Sequence, residues 1–211
     1  MQIFIDLDNT LFDTVQLGLD TASLLQKTYD IPPEIYEQAR QEMFADNNKI
    51  YSAKLHAEYI GQKTEVPNNF VDIFLDLFRN EDSEKYVFDG VFDFIAECSK
   101  LGTVRILTYG EEFVQRPRSL KSGIAKVVSD VIVTQDNKAD TIKEYFGNDV
   151  PKETIVLIDD SVEHLDDIQH AFPDSLTIHI DHGGSHNREN GSHTYAQSFD
   201  EIEALLLEKS T

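Results

Sequence analysis

Five short runs rich in β-branched residues, Ile3–Ile5, Val104–Thr108, Val131–Thr134, Ile155–Ile158 and Leu176–Ile180, are separated by stretches whose apolar residues recur at helical spacing. Such alternation builds βαβ units, which join into a parallel sheet through right-handed crossovers. The fold class expected is α/β, a Rossmann-like three-layer core with a parallel sheet. One interval breaks the rhythm. Residues 14–85 carry no strand pattern, only four helical stripes, and read as an inserted all-helical block.

The stripes of that block are Val15, Leu19, Ala22, Leu25 and Tyr29; then Tyr36, Ala39 and Met43, opened by Pro33; then Leu55, Tyr59 and Ile60, ending near Gly61; and last Phe70, Ile73, Phe74, Leu77 and Phe78. In the remainder, Val91, Phe94, Ile95 and Cys98 form a stripe that closes at Gly102, expected as the residue just past a helix end. Helices are also predicted over 111–121, with Pro117 as a kink or break, and over 139–146, 162–172 and 199–208. Residues 181–194 read as a polar loop. Its histidines His182, His186 and His193, just after His179, match no compact zinc spacing. The division expected is a core of residues 1–13 and 86–211 with the helical block 14–85 between.

Composition narrows the partners. The net charge of −21 over 211 residues repels nucleic acid and anionic membrane surfaces, so neither is expected. A single cysteine, Cys98, excludes an intrachain disulfide and suits a reducing compartment. With no stretch long enough to span a membrane and no leader pattern, a cytoplasmic location is expected.

In a parallel sheet the carboxyl ends of the strands lie along one edge, where ligands bind in open α/β folds. Here those ends carry Asp6 and Asp8, Thr108, the Lys138 region, and Asp159-Asp160. Three carboxylates brought together cannot all stay ionised without a cation. A hard ion such as Mg²⁺, which takes carboxylate, water and phosphate oxygens, answers that need. A carboxylate is also a competent nucleophile toward phosphorus. Lys138 and the ion would neutralise a transferring phosphoryl group, while Thr108 and turn N–H groups hydrogen-bond its oxygens. Asp8, two residues along, points to the same side as Asp6 and suits a general acid and base. Lys138 is preferred to Lys121, Lys126 and Lys143 because it directly opens the helix after the third run. Arg116, Arg118, His164 and His170 read as solvated helix faces.

This set resembles the haloacid dehalogenase-like (HAD) hydrolase superfamily. Asp6-Leu-Asp8-Asn-Thr10 is similar to its first motif, and Ile106-Leu107-Thr108, followed by Tyr109-Gly110, to its second. Lys138 is similar to the third-motif lysine, and Ile158-Asp159-Asp160-Ser161 to the paired-acid form of the fourth. The resemblance implies that Asp6 is the nucleophile and a Mg²⁺ ligand. It implies that Asp8 serves as acid and base, with its backbone carbonyl on the metal. Thr108, Tyr109, Gly110 and Lys138 would hold the phosphoryl group. Asp160 and Asp159 would complete the metal site, with either as the direct ligand. Many relatives carry a further Asp where this chain has Leu165, and Asp166 follows one residue later. Carbon–halogen-cleaving relatives lack the second acid of the first motif, so Asp8 points to phosphate chemistry. The helical block stands where the family inserts its C1 cap, and Phe12, Thr14, Gln16 and Tyr109 are expected near the substrate. The function implied is a Mg²⁺-dependent phosphatase acting on a small phosphorylated metabolite. A phosphomutase of the same fold, or a metal- or phosphate-binding module without turnover, is the alternative.

Overall fold

The computed structural model describes residues 1–147, 151, 153–183 and 193–210. The first run forms β1 (Gln2–Ile5), and the helical block follows as α1 (Thr14–Tyr29), α2 (Pro33–Asp46), α3 (Ala53–Lys63) and α4 (Phe70–Arg79). A 3-10 turn at Ser83–Tyr86 leads to α5 (Val91–Leu101), β2 (Thr103–Tyr109) and α6 (Glu112–Lys121). Next come β3 (Asp130–Thr134), α7 (Lys138–Phe146), β4 (Ile155–Asp159) and α8 (Val162–Ala171). The chain closes with β5 (Leu176–Ile180), β6 (Thr194–Ala196) and α9 (Phe199–Ser210).

The strands form one sheet in the order β3-β2-β1-β4-β5-β6, and every pairing is parallel. Because strand side chains alternate, the two sheet faces bury different residues. On one face Ile3, Ile5, Ile106, Val156 and Ile158 pack with Val91, Phe94 and Ile95 of α5 and Phe199, Ile202 and Leu206 of α9. On the other, Phe4, Leu107, Ile155 and Leu157 pack with Ala139 and Ile142 of α7 and Leu165 and Ile168 of α8. Apolar residues on both faces are what a sheet covered twice requires, giving three layers.

The helical block has its own core of Ala22, Leu25, Tyr36, Ala39, Ala57, Ile60, Phe70 and Phe74, joined by Val114 of α6. It therefore rests on the sheet domain through α6.

Register sets the site. Ile5 lies level with Ile106 on one side and Ile158 on the other. The next residues, Asp6 and Asp159, therefore reach the carboxyl edge together, while β2 runs on through Thr108 to Tyr109.

Several local expectations are corrected. On α1 the buried face is Leu17, Thr21, Ala22 and Leu25, while Val15 and Leu19 are 64% and 60% exposed. Leu17 turns inward because it packs into the sheet-domain core. Helix α3 runs through Gly61 to Lys63, and α6 runs through Pro117 to Lys121 without a break. Gly102 is extended (φ 179°), so it is not a left-handed helix end. A Cβ there would sit 2.2 Å from the Met1 carbonyl oxygen, so it is close approach of β1 that demands glycine. The edge strand β6 begins at Thr194, at the end of what reads as loop, and three residues are too short to show a period. His186 lies outside the described residues.

Candidate active site

Asp6 extends β1 past Ile5, and its N–H donates to the Ile158 carbonyl at 2.9 Å, tying it to β4. The residue is only 5% exposed. Asp159 ends β4 and is fully buried. Lys138, the first residue of α7, is fully buried as well, and its Nζ donates to Asp6 Oδ1 at 2.5 Å and to Asp159 Oδ2 at 2.6 Å. Helix α7 can start there because the Asn137 side chain accepts from the N–H groups of Ala139 and Asp140. The lysine is thereby delivered under the sheet edge.

One ammonium serves two buried carboxylates, and a third, Asp160, stands beside them. Oxygens of Asp6, Asp159 and Asp160 lie within 4.8 Å of one another. Burial opposes the charge on Asp159, but Lys138 and His164 together hold its carboxyl below the ordinary range. Its Oδ1 also accepts from the Ser161 N–H at 2.9 Å. Asp6 fares differently. Burial, then the charges of Asp159, Asp160 and Asp8, push it well above the usual value despite Lys138. Burial and Asp159 raise Asp160 to about 6, and its carboxylate accepts a long hydrogen bond, 3.4 Å, from Asn9 Nδ2. Asn9 reaches it from a left-handed backbone (φ 56°), a conformation Asn tolerates. The cluster is short of positive charge at Asp6 and Asp160, the pattern expected of a divalent-cation site with Asp159 given over to Lys138.

Asp8 is held apart from that cluster. Its Oδ1 accepts from Thr14 Oγ1 at 2.6 Å and Arg118 Nη1 at 2.5 Å, and its Oδ2 from Gln115 Nε2 at 2.6 Å. Arg118 is 4% exposed, so its assignment to a solvated helix face is corrected. Arg116 does stay on the surface, paired with Glu112. Sequence reasoning missed Gln115 altogether. The face of α6 that carries them is Val114, Gln115, Arg118 and Ser119, whose polar members break the apolar pattern of a buried stripe.

Thr108 is fully buried near the end of β2, and its Oγ1 has no partner; the Oγ1 of Thr10 is in the same state. Buried polar atoms are rarely left so, and two such hydroxyls suit an oxyanion. The Gly110 N–H is taken by the Thr134 carbonyl at 2.8 Å, which corrects its reading as a phosphate donor. Its positive φ of 154° and missing side chain matter instead to Gln115, whose Nε2 would sit 2.8 Å from a Cβ there.

His164 is likewise corrected from a surface position. Its Nδ1 lies 3.3 Å from Asp159 Oδ2, and its ring packs 5.5 Å from that of Tyr109. Across this rim, Lys49 of the helical block pairs with Glu163 at 2.8 Å. Of the residues expected near substrate, Phe12 is buried beneath the Arg118 guanidinium, 4.9 Å from its ring centre, and Thr14 holds Asp8. Gln16 does not reach the site; it pairs with Asp20 on the surface of α1. His182 and His193 meet the Thr10 carbonyl and Asp166, and among the described residues neither joins a cluster of metal-ligating side chains.

No protein-family model and no curated protein matches the sequence. Solved structures do match. The protein YfnB of Bacillus subtilis, described as a HAD hydrolase and solved bound to magnesium, is 18% identical with a TM-score of 0.74, over 97% of each chain. A protein from Thermotoga maritima described as a beta-phosphoglucomutase is 15% identical with a TM-score of 0.75, over 98% of each chain. The L-2-haloacid dehalogenase of Xanthobacter autotrophicus is 11% identical with a TM-score of 0.70, over 98% of each chain. At these identities the likeness establishes the fold. This chain has the α/β fold of the HAD-like hydrolases, and no described helix is long and apolar enough to cross a membrane.

Proposed function

We propose that this chain, built on the HAD-like hydrolase fold, is a Mg²⁺-dependent phosphatase acting on a small phosphate monoester. The observation that carries the reading is the charge shortage at the sheet edge: three carboxylates within 4.8 Å share one buried ammonium. Asp6 and Asp160, with the Asp8 backbone carbonyl, would hold the ion. When bound, it would supply positive charge that keeps Asp6 ionised and offsets the phosphate's own charge.

The chain's own groups then divide the work. Asp6 attacks phosphorus, forming a bond to its carboxylate oxygen as the ester P–O bond breaks. The departing oxygen takes a proton from Asp8. Asp8 next takes a proton from water, whose oxygen attacks the same phosphorus and releases Asp6 and inorganic phosphate. Lys138 fixes Asp6 Oδ1 and adds charge beside the phosphoryl group. The free hydroxyls of Thr108 and Thr10 are suited to donate to its oxygens. Asp8 also favours this reading over dehalogenation, which needs no second acid to protonate a leaving alkoxide.

The test is a screen of sugar phosphates, nucleotides, phosphoglycolate and an aryl phosphate, with and without Mg²⁺, against an Asp6→Asn control. Turnover that requires both Asp6 and the ion supports the reading. Inertness on every phosphate, with halide release from 2-haloacids, would overturn it. Turnover only with a bisphosphate activator would mark a mutase instead.

A further inference from the structure

We infer that Arg118, together with Gln115, is a positioning residue for Asp8: the pair aims the acid/base carboxyl group at the leaving oxygen. The inference rests on the phosphatase reading and adds to it the group that controls proton delivery. Its basis is geometric. Asp6 and Asp159 stand at strand ends and Lys138 opens the helix after one, and the sheet register and the lysine bridge fix them. Asp8 lies beyond the end of β1, in the turn that leads to α1, where its backbone makes a single bridge with Phe12 and no sheet ladder orients its side chain. What orients it is three donors on two oxygens, and two of the three come from one face of α6.

That face is built for the task. The Arg118 guanidinium is buried on every side: Asp8 takes Nη1, the Phe12 ring lies beneath it at 4.9 Å, and Glu81 Oε1 stands 3.7 Å from Nε. A planar cation seated on a ring and hydrogen-bonded through Nη1 presents that donor in a way a flexible lysine would not reproduce. Gln115 is held in turn. Its Nε2 donates to Asp8 and, at 3.3 Å, to the Tyr109 carbonyl, so the amide cannot rotate without losing both. Gly110 leaves the room it needs. A residue serving only to anchor α6 would need a carboxylate partner anywhere; this one is paired with the second acid of the Asp-x-Asp motif.

A purely structural ion pair and a positioning device differ in what they do to leaving groups. Proton delivery matters most when the departing oxygen is strongly basic. Phenyl phosphate releases an oxygen about as basic as tyrosinate, whereas p-nitrophenolate departs with little help. With Mg²⁺ present, Arg118→Ala should lower kcat/KM, which reports the step that expels the leaving group, about 100-fold on phenyl phosphate, the scale of general acid catalysis, and about tenfold less on p-nitrophenyl phosphate. Gln115→Leu should show the same bias at smaller amplitude, and Arg118→Lys should not restore the loss on phenyl phosphate. Equal losses on both esters would overturn the inference and leave Arg118 a structural residue.

A crystal structure of Arg118→Ala, or of Gln115→Leu if the first does not fold, decides the point without turnover. The Asp8 carboxyl group should leave its position on Thr14 Oγ1; an unchanged orientation would refute the positioning role. If the wild-type protein is inert on every phosphate of the screen, the phosphatase reading falls by itself, while the Asp8 orientation in the variant still tests the inference.

Discussion

Asp6, Lys138 and Asp159 form a chain of buried charge in which one ammonium serves two carboxylates. Lys138 is the member with the most to lose. Replacing it by Met leaves Asp6 in the interior without its ammonium and Asp159 with His164 alone beside it, and removal of one partner of a buried pair costs about 3–5 kcal/mol. Urea unfolding of Lys138→Met without added metal should show a loss of that size, and a loss under about 1 kcal/mol would mean the charges are solvated after all. Asp6→Asn should act oppositely on the two properties. It removes a strained negative charge, so stability should hold or rise, while turnover falls by about 10³-fold or more. A thermal melt beside a phosphate-release assay separates the two.

At the scale of elements, the sheet was legible because its strands carry apolar residues on both faces, and the strand ends carried the catalytic residue types into view. Two elements hid their part. Helix α6 places Gln115 and Arg118 at positions a pattern search reserves for apolar side chains, so its inward face looked solvated. The one local sign was Val114, 5% exposed and four residues before Arg118, on the same side of the helix. Helix α8 hid His164 similarly, because its contact with Asp159 depends on how the helix leaves β4 rather than on spacing. Gly102 shows a right residue given the wrong reason. Since its φ is open to any residue, the test is steric: Gly102→Ala places a methyl 2.2 Å from the Met1 carbonyl oxygen and 2.8 Å from its carbon. Backbone must move, at a cost of about 1–3 kcal/mol read from the shift in the urea midpoint. A neutral substitution would show that β1 and β2 can separate at that end freely.

For the molecule as a whole, 39 acidic residues against 18 basic ones make pH and divalent ions global variables. Asp160, raised to about 6, keeps a proton in the folded state that the unfolded chain has lost. Between about pH 4 and 6 the folded state therefore binds more protons, and stability falls as pH rises. The raised Asp6 adds in the same direction, and Asp159, held low, costs stability only as pH drops below the ordinary carboxylate range. Mg²⁺ relieves the raised pair only once they are ionised, so the rise in Tm on adding it should be larger at pH 7.5 than at pH 5. A shift independent of pH would place the ion elsewhere. The central position of β1 has a last consequence, in time rather than energy. Its neighbours are β2, about a hundred residues later, and β4, about fifty beyond that. At about 5–20 residues per second, the ribosome needs roughly 8–30 s to supply β4 after β1 has emerged. Most of the helical block's core lies within residues 22–74 and can assemble during that wait. Ile3-Phe4-Ile5, the strand that leads into Asp6, is synthesised before the other strands and finds its last partner late, so this sticky segment is one a nascent-chain chaperone would meet.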